Sequence, residues 1–206
     1  MGLTTSHADW PTRIYVVRHG ETEENLLGIH QGHGIQGRLS RQGVEDATEL
    51  AAHLATVRFD ALFTGPAGRA TATADILAER LRPAVTIHEP RLAAKNSGHL
   101  SGQRRDLIEQ EAARVGTPIH LFKTPGGESS VDVQHRHVGL WNELAARPGT
   151  FLLVGHGAGI ALLLLHLTGH DYDRFHQYVH GSAHRTVIDA GVVGHHILEV
   201  NAPPRA

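Results

Sequence analysis

The strongest candidates for catalytic residues are two histidines with similar sequence surroundings. His19 follows Arg18 and precedes a glycine at the end of an apolar run, and His156 precedes a glycine at the end of another. Arg69 stands just past the end of a third apolar run. A neutral imidazole nitrogen is a nucleophile, and a guanidinium offers paired N–H donors that match phosphate oxygens. Together these side chains would suit a phosphoryl group, which carries about two negative charges near neutral pH.

Short apolar runs and helical patterns alternate along the chain, and these elements must position the four side chains. Strands are predicted at 14–17, 59–64, 85–87, 151–154, 185–188 and 196–200, and helices at 40–54, 67–81, 107–115, 128–146 and 158–167. This alternation predicts an α/β fold, a three-layer α/β/α sandwich with a mainly parallel sheet. Ligands bind beyond the carboxyl ends of such strands, where the four side chains are expected to meet.

The composition is that of an ordinary globular protein. The chain has 206 residues, of which 40% are hydrophobic, and its 19 basic residues balance 21 acidic ones. The balance excludes a polyanion binder, so no nucleic acid partner is expected. One domain over 1–206 is predicted, with a small variable cap or insertion around 95–125, where the pattern weakens. The absence of cysteine removes disulfides and thiolate nucleophiles.

Location is predicted from the first residues and the longest apolar run. Residues 1–12 lack the charged start and apolar stretch of a secretory signal. The run at 160–165 is far shorter than the roughly 20 residues that span a bilayer. A cytoplasmic protein without a membrane partner is therefore expected, and the sequence leaves a homodimer open.

The chain has 18 histidines, which raises the question of a metal site. The close pairs at 30/33, 135/137 and 195/196 have no acidic partner at ligand spacing, and no His-Glu-x-x-His motif occurs. Two residues at i and i+2 on a helix point to different faces. Neither a metal site nor another cofactor is expected.

Five blocks in order resemble branch 1 of the histidine phosphatase (phosphoglycerate mutase-like) superfamily, from about 13 to 188. One block alone would be weak evidence, whereas five in the right order support a phosphoglycerate mutase-like fold. The blocks are Arg18-His19-Gly20-Glu21-Thr22, Gln31-Gly32 with Leu39-Ser40-Arg41-Gln42-Gly43, the segment 59–74 with Arg69, Pro125-Gly126-Gly127-Glu128-Ser129 with Arg136, and Val154-Gly155-His156-Gly157.

The resemblance implies a metal-independent phosphatase that acts on a small phosphorylated or anionic metabolite. His19 would attack phosphorus and become a phosphohistidine, while Arg18, Arg69 and His156 would bind the equatorial oxygens. In-line phosphoryl transfer needs positioning and charge stabilisation, which four convergent donors can supply. Substrate-binding roles are expected for Asn25, Gln31, Gly32 and Gly157.

The sequence departs from the family's pattern at the position of the general acid. A phosphatase of this kind needs a carboxylic acid that protonates the leaving oxygen and then activates water. The family usually places a glutamate after an Arg-Leu pair, four residues before a glycine, and here that position is Ala94. An alanine cannot transfer a proton. The candidates left open as replacements are His99, Glu21, Glu24 and Glu128.

Three further departures lie near the expected site. Gly65 stands where a serine is common, Gly155 where a small hydroxyl is common, and His180 where asparagine is common. Each is expected to remove a polar contact around the phosphate.

Three functions stay open. The first is a phosphatase whose acid has been relocated. The second is a non-hydrolytic mutase, isomerase or lyase that reuses the anion pocket. The third is a ligand-binding pseudo-phosphatase. About thirty residues between Ala94 and Glu128 leave little room for a cap that encloses substrate, which disfavours a full mutase. A pure binder would not need the nucleophile His19.

Overall fold

The computed structural model describes residues 10–104, 106–191 and 194–205. One six-stranded sheet runs through them in the order β3-β2-β4-β1-β5-β6. The first four strands of that order are parallel, and β5 and β6 add an antiparallel hairpin. The predicted mainly parallel sheet is thereby confirmed. The strands are β1 (Thr12–Arg18), β2 (Ala61–Thr64), β3 (Thr86–His88), β4 (Gly149–Gly155), β5 (Arg185–Gly191) and β6 (Gly194–Ala202).

Helices lie where the apolar spacing predicts them, within a few residues at each end. The α-helices are α1 (Glu23–Leu26), α2 (Arg41–His53), α3 (Gly68–Leu81), α4 (Asp106–Arg114), α5 (Ser130–Ala145) and α6 (Gly157–Thr168). The one-turn α1 was not predicted, and neither were three 3-10 segments at Pro90–Leu92, Gly98–Leu100 and Tyr172–Tyr178. None of the helices in the described ranges is long and apolar enough to cross a membrane.

The sheet is covered on both faces, which explains its continuous apolar runs. Ile14 and Val16 of β1 pack in one core with α5 and α6. Tyr15 and Val17, which point to the opposite face, pack in a second core with α2 and α3. The predicted three-layer sandwich is therefore confirmed.

Helix α2 is fixed to the loop that follows β1. The Ser40 hydroxyl accepts a hydrogen bond from Gly43 N at 3.0 Å and caps the helix. A Cβ on Gly43 would lie 2.1 Å from the Glu21 carbonyl oxygen, so only glycine permits this close approach. Gly43 lies on the buried face of α2, and its neighbour Val44 is 43% exposed.

The register of the central strands brings three strand ends to one edge of the sheet. Arg18 at the end of β1 lies opposite Gly155 at the end of β4. On the other side of β4, Thr64 of β2 lies opposite Val154. The next residues along β1 and β4 are His19 and His156. The two histidines that sequence analysis singled out are therefore level on adjacent strands.

The segment between 95 and 125 contains the 3-10 turn at Gly98–Leu100 and helix α4. Its residues line a cavity of about 610 Å³, which His99, Arg114, Leu121 and Pro125 border. The division into one domain with a small cap stays a prediction.

Candidate active site

His19 and His156 face each other at the carboxyl edge of β1 and β4. Their ring centroids are 5.2 Å apart in an edge-to-face arrangement. Both residues are buried. The Nδ1 of His19 lies 2.7 Å from the Gly20 carbonyl oxygen. A carbonyl only accepts hydrogen bonds, so Nδ1 carries the proton and the lone pair lies on Nε2.

His156 is the N-cap residue of α6, and no side chain caps that helix end. Both of its ring nitrogens are buried without a hydrogen-bond partner. Burial, with the nearby His19 and Arg69, lowers the pKa of His156 well below its ordinary value. A neutral ring with unsatisfied nitrogens, beside the positive end of a helix, is suited to receive the oxygens of an anion.

Arg18 lies against the beginning of α6. Its Nη1 donates to the His180 carbonyl oxygen. A Cβ on Gly157 would lie 3.3 Å from Arg18 Cδ, so the glycine makes room for the arginine. Gly157 thus helps to position Arg18, and its predicted contact with substrate stays a prediction.

Arg69, in the first turn of α3, holds the glycine-rich loop that precedes α2. Its Nη1 donates to the carbonyl oxygens of Ile35 at 2.5 Å and Gln36 at 3.3 Å, and its Nη2 donates to that of Gly32 at 3.0 Å. Its Nε is buried without a hydrogen-bond partner. The loop therefore aims one N–H of the guanidinium away from the protein's own acceptors.

Arg69 is 2% exposed, so its positive charge is largely removed from water and costs desolvation free energy. Burial lowers the pKa of Arg69 to about 10, with the charge of Glu24 opposing the shift and that of Arg18 adding to it. The side chain stays cationic at neutral pH. Arg18 and Arg69 are thus two neighbouring positive charges at the site.

Asn25 and Gln31 both contact Thr22, the residue before α1. The Thr22 hydroxyl accepts from Asn25 N at 3.1 Å and from Gln31 Nε2 at 2.7 Å. The Asn25 side-chain oxygen accepts from Thr22 N at 3.2 Å, which completes a capping box. Asn25 therefore has a structural role in α1. Gln31 is buried and its Oε1 has no hydrogen-bond partner. Substrate-binding roles for both stay predictions.

The segment that carries Ala94 is fixed by Arg136. Its guanidinium donates to the carbonyl oxygens of Arg91 at 2.7 Å, Ala93 at 2.8 Å and Ala94 at 3.3 Å. The same guanidinium pairs with Glu128 at 2.9 Å. Sequence reasoning matched Arg136 to the family but did not assign it this role.

Three of the four candidate replacements for the acid are engaged or exposed. Glu21 accepts a hydrogen bond from the Ser40 hydroxyl at 2.8 Å. Burial would raise the pKa of Glu128, but hydrogen bonds from Arg136 and Asn96 outweigh it and hold that pKa below its ordinary value. His99 is exposed. In Glu24, by contrast, Oε2 is buried without a hydrogen-bond partner.

His180 is a structural histidine. Its Nδ1 donates to the Tyr178 carbonyl oxygen at 2.9 Å, and its Nε2 lies 2.6 Å from the Thr186 hydroxyl. Burial lowers the pKa of His180 to about 4. Its contact with the site is through its carbonyl group, which accepts from Arg18.

Sequence reasoning missed His137, which is buried on the face of α5 that meets α6. Its Nδ1 donates to the Val133 carbonyl oxygen at 2.9 Å, while Nε2 has no hydrogen-bond partner. A Cβ on Gly159 would lie 2.2 Å from that Nε2, so the ring packs directly on α6. Burial lowers the pKa of His137 to about 4. Its spacing from Val133 and Leu140 was the signal that marks it as a core residue.

The side chains described at the strand ends do not form a metal site. Over 10–104, 106–191 and 194–205, no group of three or more His, Asp or Glu residues is placed to hold a metal ion. What converges at the strand ends is two imidazoles and two guanidiniums. Such a set binds and stabilises a multiply charged anion, and one imidazole nitrogen can attack it.

Known proteins of one family resemble this chain in sequence and in fold. The sequence model of the histidine phosphatase superfamily (branch 1) matches residues 14–203. "Probable phosphoglycerate mutase GpmB" of Proteus mirabilis is 32% identical over 76% of this chain and 75% of its own length. Phosphoserine phosphatase 1 of Hydrogenobacter thermophilus is 28% identical over 92% of both chains.

Some relatives are considerably longer. Fructose-2,6-bisphosphatase TIGAR B of Danio rerio is 30% identical over 72% of this chain, and the chain spans 57% of its length. Solved structures agree on the fold. YhfR of Bacillus stearothermophilus superposes with a TM-score of 0.83 at 25% identity, over 93% of this chain and 97% of that one. A mycobacterial glucosyl-3-phosphoglycerate phosphatase superposes with a TM-score of 0.77 at 26% identity, over 92% and 99%.

Proposed function

The chain belongs to branch 1 of the histidine phosphatase superfamily, and we propose that it hydrolyses small phosphorylated metabolites through a phosphohistidine on His19. One observation carries the proposal. The lone pair of His19 lies on Nε2, and His156, with two unsatisfied buried nitrogens, faces that ring at 5.2 Å. This geometry supports an attacking nitrogen on His19 beside an anion-binding group on His156.

In the first step, His19 Nε2 attacks phosphorus. The new N–P bond forms as the bond to the ester oxygen breaks, and the leaving oxygen takes the electron pair. The hydrogen bond from Nδ1 to Gly20 fixes the tautomer and the direction of the ring. It also stabilises the positive charge that develops on the imidazole during the attack.

The equatorial oxygens are held by fixed donors. Arg69 offers its Nε, His156 offers a ring N–H, and the first N–H groups of α6 carry the positive end of the helix. Arg18 adds a second guanidinium charge. Donors that are already in place lose no energy to reorganisation when charge moves in the transition state. These cationic groups supply the charge balance, so the proposed mechanism includes no metal.

Gln31 fits a role as a neutral ligand to the substrate. Its Nε2 donates to the Thr22 hydroxyl, while its Oε1 is buried without a hydrogen-bond partner. That oxygen can accept a hydrogen bond from a hydroxyl group of the substrate. We assign the same binding region to Gly32, which follows Gln31 in the chain, and to Asn25, which also contacts Thr22.

The relatives support the substrate class. They are named for activities on phosphoglycerate, phosphoserine and fructose 2,6-bisphosphate, all of which are small phosphorylated metabolites. The relative named as a mutase favours a second candidate, in which His19 returns the phosphoryl group to another hydroxyl instead of water. Inorganic phosphate release separates the two. The cytoplasmic location and a homodimer stay predictions.

The test is hydrolysis of a panel of aryl, alkyl and acyl phosphates, followed as inorganic phosphate. We expect saturable release by the wild type and none above background for His19→Gln. Exchange of phosphate between sugar or glycerate hydroxyls without release would favour the mutase. Equal release by wild type and His19→Gln would refute the phosphohistidine.

A further inference from the structure

We propose that Glu24 is the proton donor and acceptor of the reaction, in place of the carboxylate that is absent at Ala94. This inference rests on the proposed function and names the one step that His19, His156 and the arginines cannot perform. Those groups bind the phosphoryl oxygens, but none of them delivers a proton to the leaving oxygen.

The state of the carboxylates selects Glu24. Among the buried side-chain atoms of the described residues that lack a hydrogen-bond partner, Glu24 Oε2 is the one carboxylate oxygen. The carboxylate of Glu128 is held by Arg136 and by Asn96 N, and that of Glu89 is held by Arg91. Glu21 accepts from Ser40. Glu128 and Glu89, which are held by cations or N–H donors, stay ionised and give up no proton, and Glu21 is already engaged by a hydroxyl.

Contacts through α1 place Glu24 beside the phosphate ligands. Thr22, which begins α1, receives the Gln31 amide at 2.7 Å. A Cβ on Gly37 would lie 2.1 Å from Gln31 Oε1 and 3.0 Å from Arg69 Cδ, so Gln31 and Arg69 lie side by side. The charge of Glu24 in turn acts on Arg69. The acid is therefore on the same side of the site as the guanidinium.

The charges of Glu24 and Arg69 attract each other, but the two side chains form no direct hydrogen bond. Arg69 Nε and Glu24 Oε2 are both buried, and neither has a hydrogen-bond partner. Two complementary buried groups that leave each other unsatisfied would forfeit free energy unless something joins them. A phosphate ester joins them: one of its oxygens accepts from Arg69, and its ester oxygen accepts the proton of Glu24.

The proton balance closes over the two steps. As His19 Nε2 forms its bond to phosphorus, the Glu24 O–H proton passes to the ester oxygen and the free alcohol leaves. The Glu24 carboxylate then takes a proton from water, whose oxygen forms the new bond to phosphorus. The electron pair of the N–P bond returns to His19, inorganic phosphate forms, and Glu24 is protonated again.

The test compares two substrates with Glu24→Gln and with Glu23→Gln, an exposed neighbour on the same turn. An alkyl phosphate needs protonation of its leaving oxygen, whereas 2,4-dinitrophenyl phosphate does not. For Glu24→Gln we expect turnover of the alkyl phosphate to fall about 10²–10⁴-fold, while the burst of dinitrophenolate is kept. The phosphoenzyme should then accumulate, since water is no longer activated. Glu23→Gln should match the wild type on both substrates.

Three outcomes would overturn the assignment. Loss of the dinitrophenolate burst as well, with a lowered melting temperature, would make Glu24 structural. Unchanged turnover of the alkyl phosphate by Glu24→Gln would refute the assignment while leaving the phosphohistidine intact. A wild-type protein that never carries phosphate on His19 would remove the proposed function itself, and the role of Glu24 with it.

Discussion

The carbonyl oxygen of Leu92 lies so close to Gly65 that a Cβ at residue 65 would stand 2.6 Å from it. The turn that leads to Ala94 is thus packed onto the end of β2. A serine at residue 65 is excluded by the backbone of that turn. The departure from the family's pattern at Gly65 is therefore part of a local packing arrangement, in which Leu92 lies against the end of β2.

Gly65→Ala should destabilise the protein by about 1–3 kcal/mol, because the new methyl group overlaps backbone that has to move. Gly155→Ala is the matched control, since a Cβ there meets Leu92 at 3.8 Å, an ordinary contact. Neither glycine has a positive φ, so the comparison isolates the packing. Urea unfolding of both variants checks this. Equal stability would contradict the close contact.

The Glu128→Gln variant should have a free energy of unfolding lower by about 1–3 kcal/mol, because the half-buried Arg136 guanidinium is left poorly paired. Its activity should fall by the same factor on good and poor leaving groups. Glu143→Gln, whose side chain is 48% exposed, should change stability by about 0.5 kcal/mol or less. A loss confined to poor leaving groups would instead make Glu128 the acid.

His156→Ala should lower kcat about 10²–10³-fold, because it removes a fixed donor to the charge that develops in the transition state. KM should change much less. His166→Gln, an exposed substitution near the end of the same helix, should leave both constants unchanged. Steady-state kinetics on one aryl phosphate checks this. A rise in KM with kcat unchanged would show that His156 contributes to binding of the substrate and not to stabilisation of the transition state.

Acid should destabilise the protein through its buried histidines. His137 and His180 have pKa values lowered to about 4, against an ordinary value of 6.5. The unfolded chain binds their protons below about pH 6.5 and the native protein does not, so stability is lost as the pH falls through that range. At pH 5 the loss is about 2 kcal/mol for each histidine.

Urea unfolding at pH 7.5 and pH 5 measures this loss. A His137→Gln variant should show a pH dependence smaller than the wild type's by the contribution of one histidine. Comparing the two slopes cancels the titration of the carboxylates. Identical slopes would contradict a buried neutral His137.

Apolar spacing was sufficient to predict the fold. Runs such as 151–154 are buried on both faces, so they could be recognised as central strands, and the strand ends placed His19 and His156 at one edge. The close backbone contact between Gly43 and Glu21 was not predicted. Such contacts depend on the loop that follows β1, which local periodicity does not describe.

The site was predicted only in part, since residue identity does not reveal hydrogen-bond partners. Asn25 and Gln31 were expected at the substrate, and the structure adds that both contact Thr22. Arg69 was expected to bind phosphate, yet both of its terminal nitrogens hold the loop at 32–36. Glu24 was one of four candidate acids, and the structure adds that its Oε2 is buried without a hydrogen-bond partner while Glu128 is bound by Arg136.

The measurement that tests the central claim most directly is a rapid-quench reaction with 2,4-dinitrophenyl phosphate, followed by peptide mass spectrometry under alkaline conditions that preserve phosphohistidine. The account predicts one phosphate per chain, located on His19 and formed no more slowly than dinitrophenolate is released. Phosphate should be absent from the His19→Gln variant. Turnover without a phosphorylated His19, or phosphate found on another residue, would contradict it.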